Sequence, residues 1–100
     1  MARLRGEYVY TSTGRQRPVF LQPDCVLARF ALAAGERDVL RLEVSHDPLA
    51  VVRKGSACWQ VFEGGMGGGL HGVSALRVVA DRLEGWAILT VEQECEGDEQ

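Results

Sequence analysis

The chain has 100 residues, of which 46% are apolar and 25% charged, with a formal net charge of −3 and three cysteines. A chain of this length holds a single core, and the composition excludes a disordered segment, a collagen-like repeat and a disulfide-stapled toxin. No apolar run approaches the ~18 residues that a membrane helix needs, and the basic start at Arg3 and Arg5 lacks the apolar stretch of a secretory signal.

Residues 7–13 are β-branched and aromatic and predict a strand with Tyr8 and Tyr10 on one face. Residues 17–22 predict a short edge strand, because Pro18 has no N–H for a ladder. Gly14 between them suggests a hairpin around Thr13–Gln16. Residues 24–34 are apolar almost all round, with Arg29 as the interruption. Their alanines, and Asp24 as a cap, favour a helix stopped at Gly35; a buried strand is the alternative, which periodicity alone does not separate.

Residues 38–45 alternate, with Leu40, Leu42 and Val44 against Arg41, Glu43 and Ser45, and predict a strand with one wet face. Residues 49–53 fit either one helical turn after Asp47 and Pro48 or a strand turning at Gly55; Val51 and Val52 favour the strand. Residues 57–62 predict another strand. The glycine-rich stretch 64–72 predicts no structure of its own. Residues 74–84 predict the clearest helix: Ala75, Leu76, Val79, Ala80 and Leu83 form one stripe, Ser74 caps it and Gly85 ends it, with Val78 the apolar misfit. Residues 86–92 predict a final strand, apolar on both faces and therefore central. From Glu92 onward the chain is strongly acidic and predicts a mobile tail, so the domain is expected over 1–91 and the tail over 92–100.

The resulting expectation is an α+β fold: a mostly antiparallel sheet of five or six strands covered on one face by the helix 74–84 and by a second at 24–34.

Charge is uneven along the chain. Residues 1–54 hold nine basic and six acidic side chains, whereas residues 55–100 hold two and eight. Mixing of both halves in one compact domain is the plainest account; a basic surface for an acidic partner is the alternative. Cys25, Cys58 and Cys95 are odd in number and lack C-x-x-C spacing, which with no export signal predicts reduced thiols and a cytoplasmic protein.

The feature that stands above background is the glycine-rich loop. Gly67–Gly72 matches G-x-G-x-x-G between a predicted strand and a predicted helix, where bare amides favour an anion. Gly67, Gly69, His71, Gly72 and Arg77 are the candidate ligand-binding residues. Six glycines match that pattern easily, too few βα units remain for a dinucleotide domain, and no Gly-Lys-Ser/Thr follows. His46 and Asp47 are adjacent but have no partners with metal-ligand spacing, and no metal or other cofactor is expected. Arg3, Arg5, Arg15 and Arg17 beside Tyr8 and Tyr10 suggest a single-strand nucleic-acid surface, against which the overall acidity counts. Trp59, Trp86 and Ile88 are candidate interface residues.

The expected function is that of a small, cytoplasmic, non-enzymatic binding or interaction protein acting as a homodimer, because a small sheet with an apolar outer face closes by self-association. A small-molecule or anion-binding protein, or small enzyme, using the loop 64–72 is the second expectation, and a nucleic-acid-binding module the third.

Overall fold

A computed structural model of the chain describes residues 2–22, 25–63 and 65–95. Strands dominate: β1 (Ala2–Tyr10), β2 (Gly14–Arg15), β3 (Val19–Phe20), β4 (Cys25–Ala33), β5 (Val39–Ser45), β6 (Gln60–Val61), β7 (Gly67–Leu70), β8 (Ala75–Arg82) and β9 (Ala87–Cys95), with one short helix, α1 (Leu49–Arg53). They form two antiparallel sheets. Sheet A has the order β1-β9-β4-β7, and sheet B the order β2-β8-β5-β6, with β3 also pairing β8.

The α+β expectation is therefore overturned: among the described residues no helix covers a sheet, and the two sheets cover each other. Both predicted helices are strands. In β8, Leu76, Val78 and Ala80 share one face, and Ala75, Arg77 and Val79 the other, and all but Arg77 are buried. The β-branched Val78, misplaced on the helical stripe, belongs in the core of the sheet. A central strand buried on both faces shows little alternation, and a segment apolar on nearly every side also contains a five-residue helical stripe. Residues 25–33 differ in cause: β4 lies between β9 and β7 and sends Ala28, Phe30 and Leu32 inward, but its exposed face carries Ala31 and Ala33 beside Arg29, so the sequence is apolar where the surface is wet.

Other differences are smaller. The preferred strand at 49–53 is α1, whose start at Pro48 uses a fixed φ and needs no donor there. The hairpin expected around Thr13–Gln16 does not form, because β1 pairs β9 and β3 pairs β8, which puts the two strands in different sheets. Strand β9 runs on to Cys95, so residues 92–95 are sheet; residues 96–100 lie outside the described residues. The strand at 38–45 is β5 almost as expected.

The core sits between the sheets. Sheet A contributes Tyr10, Ala28, Phe30, Leu32, Leu89 and Val91, and sheet B contributes Val19, Leu42, Val44, Leu76 and Val78. Phe62 packs edge-on against Phe30, with ring centres 5.0 Å apart. Gln93 is the polar member of this inward face. Its side chain is satisfied from both directions by the Gln22 backbone, which donates to Oε1 at 3.0 Å and accepts from Nε2 at 3.1 Å.

Candidate functional site: the open flank along β1

The glycine-rich segment is not a helix-terminal loop. Gly67–Leu70 forms β7, the strand at one edge of sheet A, with Gly67 opposite Ala31 and Gly69 opposite Arg29. The chain turns at Gly72, where φ is +67° and the carbonyl oxygen lies 2.8 Å from His46 Nδ1. Beyond this turn the chain enters strand β8, so no helix terminus concentrates amides on an anion there.

The structure separates the candidate ligand residues. His71 and Gly72 line a groove of about 320 Å³ together with Gln22, Cys25 and Gln93 at one end of the sandwich. Arg77 is not among them. It lies on the outer face of sheet B, where its guanidinium donates to Glu43 Oε1 at 2.7 and 2.8 Å and its Cζ stands 4.2 Å from the centre of the Trp59 ring. Arg41 approaches the other Glu43 oxygen at 3.4 Å and holds Asp81 at 2.6 Å. Burial works to raise the Glu43 carboxyl, but the hydrogen bonds and charges of Arg77 and then Arg41 outweigh it and hold the group below the usual carboxylate range. Trp59 is thus half-covered over an ion pair. Trp86 is 60% exposed at the turn between β8 and β9. Ile88 is half-buried on the outer face of sheet A, between Val9 and Ala33.

The arginines of the nucleic-acid expectation do not form one surface with the tyrosines. Alternation along β1 places Arg3, Arg5 and Glu7 on the outer face and Leu4, Gly6, Tyr8 and Tyr10 on the inner one. Arg3 pairs with Glu94 at 3.2 Å, and Glu92 sits between Arg5 at 3.8 Å and Arg29 at 3.1 Å. Arg15 belongs to β2 in the other sheet. Cys25 and Cys95 face each other across β4 and β9 and form a disulfide, while Cys58 is free and exposed. The expectation of three reduced thiols is corrected, and the cytoplasmic reading loses the support it drew from them.

The feature that sequence reasoning missed is the flank of the sandwich beside β1. Among the described residues β1 has β9 as its one neighbour, so nine residues of main chain present their other edge outward. Sheet B does not fully cover the inner side of this strand. Leu4 is 40% exposed and Tyr8 38%; on β3 it is Val19 that faces inward, while Phe20 lies on the outer face of sheet B under the Arg53 guanidinium. Two shallow cavities of about 180 and 600 Å³ run along the seam, both lined by Tyr8 and Val19. The Tyr8 ring leans back over Gly6, so that a Cβ there would meet the Tyr8 hydroxyl at 2.9 Å and push the exposed ring aside. At the Tyr10 end of the seam that residue's hydroxyl is buried with no hydrogen-bond partner among the described residues, and burial, then the neighbouring Tyr8, push its pKa up to about 12. The sequence signal for this flank was the Tyr8/Tyr10 alternation; the missing covering strand was not visible in it.

Among the described residues no group of three or more His, Cys, Asp and Glu side chains is placed to hold a metal ion, and no helix is long and apolar enough to cross a membrane. No protein family, curated protein or solved structure matches the chain.

Proposed function

We propose that the protein is a small, non-enzymatic interaction module whose working surface is the open flank along β1, where sheet A is extended by a strand from another polypeptide. The observation that supports this is the nine-residue outer strand whose inward side chains, Leu4 and Tyr8, are left well exposed. Strand addition uses both properties at once: free main-chain donors and acceptors give affinity, and alternate side-chain positions give selectivity. The glycine-rich segment is a weaker candidate for a ligand site, because Arg77 is already held by Glu43 and β7 pairs with β4.

Selection of random peptides displayed on phage against the full chain, immobilised sparsely so that copies do not meet, tests the reading. Enriched peptides should lose binding when Leu4→Lys and Tyr8→Lys are introduced together and keep it in Trp86→Ala. Enrichment that persists undiminished in the β1 double variant overturns the proposal.

A further inference from the structure

Resting on the reading of β1 as an interaction edge, we infer that the strand added there is β1 of a second copy, paired antiparallel about a two-fold axis at Gly6. The axis of a symmetric antiparallel ladder passes midway between a residue and its own copy, so the choice of centre fixes every facing pair. Centred on Arg5, the strand sets Arg5 against Arg5 at the axis with Arg3 against Glu7 on each side, sets Leu4 against Gly6, and slides Val9 and Tyr10 past Ala2. Centred on Glu7, it sets Glu7 against Glu7. Centred on Gly6, it sets Arg5 of each copy against Glu7 of the other, twice over, and Leu4 against Tyr8, also twice. Gly6 is also the middle residue of Ala2–Tyr10, so this register alone overlaps the full strand.

The two faces of the strand agree on that register. On the outer face, Arg5 and Glu7 are 57% exposed and bond to each other along one strand at 3.0 Å, with Glu92 3.8 Å from Arg5, so reaching across exchanges a contact within the strand for one between copies. On the inner face, Leu4 and Tyr8 gain an apolar neighbour each, which accounts for their exposure. Gly6 facing Gly6 leaves the room into which both Tyr8 rings lean. Charges on an edge strand ordinarily guard it against pairing. Here the two signs are placed symmetrically about the strand centre, so full-length self-pairing turns the guard into an attraction, without the like-charge contact at the axis and the shortened overlap of the neighbouring registers. The dimer joins two four-stranded sheets into one.

Native mass spectrometry and light scattering of the full chain test this directly. The unaltered chain should dimerise. Arg5→Glu and Glu7→Arg should each shift the equilibrium about tenfold toward monomer, since each sets like charges face to face at two places. An equimolar mixture of the two variants should recover the lost affinity as a heterodimer, because Glu at 5 and 7 in one copy then faces Arg at 7 and 5 in the other. Circular dichroism of each variant should match that of the parent, both side chains being largely in solvent. A monomeric parent, a dimer indifferent to either reversal, or a mixture that forms no heterodimer overturns the inference. A monomeric parent that still selects peptides along β1 overturns self-pairing alone; failure of both experiments overturns the interaction reading as well.

Discussion

The outer faces of the two sheets carry the same chemistry at different depths. On sheet A, Glu92 lies between Arg5 and Arg29, whose side chains are more than half in solvent. On sheet B, Glu43 lies between Arg77 and Arg41, but Arg77 and Glu43 are only 16% and 14% exposed and Trp59 lies over the guanidinium. The carboxylate between two arginines is the same motif in both. What differs is the cover: sheet A is open to water on that side, whereas β6 and the segment before it fold Trp59 over sheet B. An exposed ion pair is screened and adds little, while a covered one leaves a costly orphan when either member is removed.

This contrast ranks the substitutions. Arg77→Ala should be the most damaging of the set, destabilising by about 2 kcal/mol in urea unfolding, because Glu43 is left half-covered with its main donor gone. Glu43 should also shape the acid limb of stability. Its folded-state pKa is depressed, so its contribution is whole above the ordinary carboxylate range and is lost as pH falls through the folded value. Glu43→Gln should lower stability at neutral pH and flatten the loss on acidification; an unchanged acid slope would separate this carboxylate from the effect. Trp59→Ala should cost about 1 kcal/mol by uncovering Arg77, and the cost should shrink when Arg77 is already replaced. Between the sheets, Tyr10→Phe removes a hydroxyl that no group answers and should stabilise by up to about 1 kcal/mol. Its raised pKa means that the native chain keeps its full Tyr10 contribution below pH ~10 and loses it as pH rises toward about 12; the phenylalanine variant should lack that alkaline decline. The smallest effect belongs to sheet A: Arg29→Ala should cost no more than about 0.5 kcal/mol and less still in high salt. Equal losses at Arg29 and Arg77 would erase the distinction between the two faces.

Legibility in the sequence followed the same division between wet and dry surfaces. Strand β5 was readable because Arg41 and Glu43 alternate with Leu42 and Val44, one side wet and the other dry. Strand β8 was not, because both of its faces are largely covered and the alternation that distinguishes a strand disappears; β4 was not, because the small apolar Ala31 and Ala33 stand on its exposed face and hide the alternation in the sequence. At the candidate site, the common face of Tyr8 and Tyr10 was readable from their spacing. The opposite placement of Arg3 and Arg5 follows from the same alternation once β1 is extended back to Ala2. The expected grouping of Arg77 with His71 failed for a topological reason: a helix would have turned Arg77 back toward the loop, whereas a strand carries it away along sheet B to Glu43.

By itself the sequence determined which residues are apolar enough to be buried, where the turns fall at Gly35, Gly55 and Gly85, and that Arg5 and Glu7 are set symmetrically about Gly6. Tertiary structure decided that two sheets, and not helices on a sheet, bury those residues, that Cys25 meets Cys95, and that among the described residues β1 has β9 as its one neighbour. The physical reason is that local pattern records contrast between water and core, whereas long-range pairing decides which strands lie inside and which are left at the margin.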